Sequence, residues 1–314
     1  MEKRTLTKKD ASIALFVAFI CAQFSLIVGR TILSVIFACF KNSNQISSFF
    51  SGPWGYLTSS VFQLMAFVGV FVYYYKKTTL NSQHSQQKFN TKQCLFFIAI
   101  GIFSMLCLTT FVNYFCLNLN LLNKPSAVFS FEINNPTTLI LTLISSAIIP
   151  AIGEELLFRG VIFNALKEKG SLYATIISSL FFALFHFNLS QSIYPFLFGL
   201  ILGFSYAKTK NILVPMLIHF FNNATNIVLQ YFLNPVFAPS AKMLVIMIIG
   251  VLLFVLIMAL LFVLSYKESL KEEIAPKQEK QKYKPKTFKE FIKSETFLFV
   301  SPLVFMVFLY IILV

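Results

Sequence analysis

Six polar side chains set in apolar surroundings define the chemistry to expect of this chain: Glu154, Glu155, Arg159, His186, His219 and Asn223. Between residues 11 and 267 only four carboxylates occur, and two of them are adjacent, in Pro150-Ala-Ile-Gly-Glu-Glu-Leu-Leu-Phe-Arg159. A carboxylate in or near hydrocarbon costs several kcal/mol unless it is paired or faces water, so an acid in such a place is by default a functional-site hypothesis. One carboxylate and two imidazoles sharing a wet layer can move protons and activate a water molecule. The chain's third histidine, His84, sits in a polar stretch and reads as solvated.

Helices must position these groups, and helical spacing already makes the two acids unequal. Glu155 and Arg159 lie one turn apart on one face, whereas Glu154 points about 100° away from them. Glu155 is thus the acid to be held in a salt bridge, and Glu154 the one left for chemistry. Phe182 with His186, and His219 with Asn223, repeat the same spacing. If the acidic helix runs to a hairpin at Gly170, Glu154 lies 16 residues before the turn and His186 lies 16 residues after it, level with each other. His219 and Asn223 follow Lys210 by 9 and 13 residues, which places them about 14 and 20 Å from that end at helical rise. Taken singly, a Glu-Glu pair is often a solvated helix end, and a histidine or asparagine in an apolar helix is often interhelical glue. The level placement of all four argues against reading each one alone. Phe182 reads as packing.

The surrounding composition is that of a membrane protein. The chain is 57% hydrophobic, 17% aromatic and 12% charged, too apolar for a soluble domain of 314 residues. Apolar stretches fall near residues 11–40, 57–75, 93–117, 137–167, 171–188, 192–207, 211–231, 243–266 and 296–314, an all-α, polytopic transmembrane bundle of about eight or nine helices. The net charge of +14 is a topology signal, not a nucleic-acid footprint. With the N-terminus in the cytoplasm, 22 of 26 basic residues fall on or near one side, and only Arg30, Lys41, Lys124 and Lys242 lie elsewhere. This orientation leaves the C-terminus external. The first apolar segment is too long for a signal peptide and lacks a small-residue cleavage site. The five cysteines lie in apolar segments without a C-x-x-C pair and read as packing residues.

Polar breaks divide the chain into N-terminal helices (1–136), a compact block (137–235) and trailing helices (236–314) with a basic cytoplasmic linker at 267–294. The linker reads as a solvated tether, with contact to anionic lipid headgroups as the second reading. The middle block holds nearly all the intramembrane polar residues. Neither a solenoid period nor a pair of matched broken helices is visible.

Glu-Glu-x-x-x-Arg at 154–159, Phe-x-x-x-His at 182–186 and His-x-x-x-Asn at 219–223, in that order on successive apolar segments, resemble the motifs of the CPBP family of intramembrane proteases. That family includes type II CAAX prenyl endopeptidases and bacterial bacteriocin-processing and self-immunity (Abi) proteins. The resemblance covers roughly residues 137–235. It implies a conical catalytic core at the membrane and hydrolysis of a peptide or protein substrate presented at the cytoplasmic membrane face. Glu154 would be the general base, with His186 helping to hold the water. By resemblance, His219 and Asn223 would stabilise the oxyanion, and Glu155, Arg159 and Phe182 would orient the site. Glu154, His186 and His219 also make up the His2Glu set of a catalytic zinc with water as fourth ligand, and the family has been described both as metalloproteases and as glutamate-dependent. The chain lacks H-E-x-x-H, so both versions stand. Two other classes stand beside the protease: a transporter or channel using Glu154 and the histidines as a proton or cation relay, and a non-catalytic immunity protein in which the polar residues only tie helices together.

Overall fold

The computed structural model describes residues 4–39, 48–78, 91–118, 131–186 and 192–233, with single positions at 249, 252 and 256. His84, the linker 267–294, the apolar segment 296–314 and, apart from those three positions, the segment 243–266 lie outside the described residues. The fold is all-α; among the described residues the one extended pairing is a lone bridge between Arg4 and Thr78. Among the described residues the main helices run in the order α1 (Lys8–Cys39), α2 (Pro53–Lys77), α3 (Thr91–Asn118), α4 (Pro136–Lys169), α5 (Ser171–Leu184), α6 (Ile193–Thr209) and α7 (Leu213–Leu233). Within them, Lys8–Ile36, Pro53–Lys77 and Pro136–Lys169 are long and apolar enough to cross a membrane, and Cys94–Ser104 and Ser171–Leu184 are shorter apolar helices.

Local chemistry sets the boundaries. Asn135 caps α4 by accepting from the Thr138 N–H at 2.9 Å, with Pro136 at the first helical position, where its missing N–H costs nothing. Gly170, with φ 104°, takes the left-handed turn that reverses the chain between α4 and α5, a conformation open to glycine without strain. Hydroxyls along the helices bond back to carbonyls one turn earlier, as Thr142 does to Thr138 at 2.6 Å and Ser179 to Thr175 at 2.7 Å, so they enter apolar surroundings already satisfied.

α4 sits at the centre, packed by α1, α2, α5 and α7. Its buried Leu157, Phe158, Val161 and Ile162 join Leu15 of α1, Phe67 of α2, Phe181 of α5, Phe198 and Leu202 of α6 and Ile218 of α7 in one core. α5 and α6 approach most closely, because Gly199 and Gly203 of α6 face Ser179 and Thr175 of α5. A Cβ at Gly199 would come 3.1 Å from the Ser179 Cα, and one at Gly203 would come 2.8 Å from the Thr175 Cγ2. Small residues four apart let two backbones meet where no hydrophobic driving force pulls helices together. The outer surface stays apolar, with Phe24, Ile27 and Ile32 of α1 exposed, as suits a hydrocarbon solvent. At the chain start, Arg4 makes two 2.6 Å bonds to the buried Asp10 carboxylate, which also accepts from the Thr7 N–H and hydroxyl.

Candidate active site

α4 is not a uniform helix. It is α-helical over Pro136–Leu143, π-helical over Ile144–Ile148, α-helical over Ile149–Glu155 and π-helical again over Leu156–Phe163. A π turn inserts a residue, rotates the phase of everything after it and unsettles the carbonyl ladder. Pro150 adds to this: it has no N–H to offer the Ser146 carbonyl four residues back. Asn223 of α7 takes that carbonyl, its Nδ2 donating to Ser146 O at 3.0 Å. Near the second π segment, Asn164 plays the same part within α4, donating to the carbonyls of Arg159 at 2.9 Å and Gly160 at 3.0 Å, and to the Tyr206 hydroxyl at 2.8 Å.

The adjacent acids occupy different environments. Glu155 and Arg159 are both 0% exposed, and Arg159 Nη1 donates to Glu155 Oε1 at 2.9 Å. The same oxygen accepts from His219 Nδ1 at 2.9 Å. Arg159 Nη2 donates to the Gly199 carbonyl at 3.0 Å, so the close α5–α6 seam also holds the guanidinium. Glu154 is 13% exposed at its side chain, and its Oε2 lies 4.0 Å from His219 Nε2. That gap is too long for a direct hydrogen bond. Since Nδ1 donates to Glu155, Nε2 is the nitrogen His219 presents toward Glu154.

Phe182 lies at the centre of these groups. Its ring centroid is 5.0 Å from His186, 5.8 Å from His219 and 5.2 Å from Phe158, and Arg159 Cζ lies 5.0 Å over its face. Phe198 meets His219 edge-on at 5.4 Å from the other side, so two aromatic walls set the imidazole plane. His186 differs from its expected place within a helix: α5 ends at Leu184, and His186 lies in the turn that follows, with its N–H bonded to Ala183 O at 3.2 Å. This i→i+3 bond tightens the last turn, as helix ends commonly do. His186 Nδ1 donates to the Phe182 carbonyl at 2.8 Å, which leaves Nε2 with its lone pair outward on an exposed side chain.

Two residues not singled out from the sequence belong to this cluster. The Tyr194 hydroxyl of α6 donates to Asn222 Oδ1, and Asn222 Nδ2 donates to Asn223 Oδ1 at 2.8 Å. Asn222 carried a signal, since a second amide beside Asn223 in an apolar helix is as costly as the first. Tyr194 carried none, because tyrosine is common near helix ends.

Among the described residues, no group of three His, Cys, Asp or Glu side chains is placed to hold a metal ion. Glu154 and His219 face each other, but His186 does not complete the set. The arrangement of the described residues does not fit a three-ligand metal centre.

Similarity to known proteins falls on the same segment. Residues 136–225 match the family described as Type II CAAX prenyl endopeptidase Rce1-like. YdiL of Bacillus subtilis (strain 168), which carries the name of a membrane peptidase, is 38% identical over 97 residues, covering 31% of this chain and 39% of YdiL. The membrane-embedded CAAX protease MroQ of Staphylococcus aureus (strain USA300) is 38% identical over 96 residues, covering 28% of this chain and 38% of MroQ. The chain thus spans about two fifths of the length of each of these relatives. No solved structure matches it. The segment similar to the type II CAAX prenyl endopeptidase Rce1-like family, residues 136–225, takes in both acids, Arg159, His186, His219 and Asn223.

Proposed function

We propose that this chain is a multi-pass intramembrane endopeptidase that hydrolyses a peptide bond with a water activated by Glu154. The observation that carries the reading is the division of labour between adjacent acids. Glu155 is sealed, its Oε1 committed to Arg159 and His219, while Glu154 is partly accessible and faces the free edge of His219. A carboxylate sealed from solvent cannot reach a water, whereas a partly accessible one can.

In this mechanism a water sits between Glu154 Oε2 and the outward Nε2 of His186. Glu154 removes one proton as the water oxygen forms its bond to the scissile carbonyl carbon, and the carbonyl oxygen becomes an oxyanion. Asn223 Nδ2 donates to that oxyanion with its second hydrogen, the first being held by Ser146 O. His219 is a donor throughout, Nδ1–H to Glu155 and Nε2–H to the oxyanion, so it enters and leaves the step with the same protons. Each such donor is worth about 3–4 kcal/mol in acyl transfer. The intermediate collapses by breaking the C–N bond, and the proton held by Glu154 passes to the leaving nitrogen. The substrate is a peptide or protein segment presented at the cytoplasmic membrane face, with the N-terminus of this chain on that side, and nothing in the site requires a prenyl group.

Comparative proteomics of membrane fractions carrying wild type or Glu154→Ala tests this directly. At least one precursor is expected to accumulate uncleaved in the variant. Identical peptide profiles, with both proteins inserted and folded, would overturn the reading; loss of solute flux in proteoliposomes without loss of cleavage would favour a relay.

A further inference from the structure

We propose that Tyr194 and Asn222 are positioning residues that lock the carboxamide of Asn223 with its NH2 edge toward the reacting carbonyl. The inference rests on the protease reading of Asn223 and adds the device that orients it.

A carboxamide is nearly symmetric in shape, so an asparagine beside a forming oxyanion can help or harm. Turned one way it offers an N–H; turned the other it opposes the oxyanion with its own oxygen. Something must choose. At one end the Ser146 carbonyl can only accept, so it requires the NH2 edge of Asn223, which it receives at 3.0 Å. At the other end Asn222 Nδ2 donates to Asn223 Oδ1 at 2.8 Å, which requires the oxygen edge there. Asn222 is itself an amide, and turning it over would set its Oδ1 against Asn223 Oδ1; the Tyr194 hydroxyl, by donating to Asn222 Oδ1, satisfies and so favours the orientation that avoids this clash. Tyr194, Asn222, Asn223 and Ser146 therefore form one directional chain in which every bond runs the same way. Chains of this kind polarise each member, strengthening the donor character of the last N–H.

The chain joins three elements. Tyr194 stands at the start of α6, the two asparagines on α7 and Ser146 in the first π segment of α4. The Ser146 carbonyl seeks a side-chain donor because Pro150 supplies none. The alternative is that these bonds only tie helices together, as polar side chains in membrane bundles often do. The two roles separate by experiment, since glue acts on stability and orientation acts on the catalytic step.

The test uses purified full-length protein in detergent micelles, with a fluorogenic peptide built on the cleavage site of the precursor that accumulates in Glu154→Ala membranes. Tyr194→Phe removes one hydroxyl and is expected to lower kcat roughly tenfold with KM unchanged, a part of the 10²–10³-fold typical of deleting an oxyanion donor outright. Asn222→Ala is expected to do the same. In an Asn223→Ala background, Tyr194→Phe is expected to have no further effect on kcat, because the residue it acts through is gone. Thermal unfolding accompanies each variant. Wild-type kcat in a folded Tyr194→Phe protein, with Glu154→Ala inactive, overturns this inference and leaves the protease reading standing. Equal losses from Tyr194→Phe in both backgrounds, tracking a lowered Tm, overturn it in favour of helix glue. A wild-type protein that does not cleave the peptide better than Glu154→Ala overturns both.

Discussion

Replacing each adjacent acid by its isosteric amide separates a structural carboxylate from a chemical one. Glu155→Gln keeps the shape but removes the charge that faces Arg159 across 2.9 Å, with both side chains 0% exposed. The guanidinium then keeps only neutral acceptors in contact, the Gly199 carbonyl at 3.0 Å and the carboxamide oxygen of the new side chain, with the face of Phe182 beside it. Leaving one member of a buried ion pair without its partner costs about 3–5 kcal/mol. At roughly 2 °C per kcal/mol for a chain of this size, Tm in detergent micelles should fall by about 6 °C or more. Glu154→Gln removes a carboxylate whose ion-pair contact is 4.0 Å long, too far for a direct hydrogen bond, so its stability cost should be well below that of Glu155→Gln. Its cost to catalysis should be large, roughly 10²–10⁴-fold in cleavage rate, the usual contribution of a general base. Circular dichroism or dye-monitored melting paired with the peptide-cleavage assay reads both effects on one preparation. Equal melting temperatures for the two variants, or a greater loss of stability in Glu154→Gln, would refute the division drawn between the acids.

Gly203→Leu drives a side chain into Thr175, whose Cγ2 already lies 2.8 Å from the position of a Cβ; overpacking of this kind costs about 1–3 kcal/mol or more. It should lower both Tm and activity, since α6 also presents the Gly199 carbonyl to Arg159. Arg4→Ala removes both 2.6 Å bonds to the buried Asp10 and should lower Tm by a few degrees while leaving kcat unchanged, because this clamp lies outside the proposed catalytic cluster. A preparation stripped by chelator should keep full cleavage activity; loss of activity restored by added zinc would show that His186 joins Glu154 and His219 in a conformation other than this one.

Much of this molecule was readable from one strand of letters because the relevant distances run along a helix. Apolar length marked helices, three of which among the described residues are long and apolar enough to cross a membrane, and the i, i+4 interval put Arg159 against Glu155 and not Glu154 before any contact was known. The turn at Gly170 was visible because a glycine follows Lys-Glu-Lys where the apolar pattern stops. What lies between helices was not readable, since periodicity says which face a residue occupies but not which neighbour that face meets. That His219 bonds Glu155 through one nitrogen and turns the other toward Glu154 depends on the rotation of α7 against α4. That Arg159 reaches the Gly199 carbonyl depends on how closely α6 approaches. Pro150 announced an unsatisfied carbonyl in its own helix; only the packing of α7 decided that Asn223 would answer it, with Asn222 and Tyr194 behind. Composition and helical phase are local, so the order of residues is enough to establish a helical membrane protein and its cast of polar side chains. Which acid is sealed, which is reachable and which way the amide points are settled only where separate helices touch.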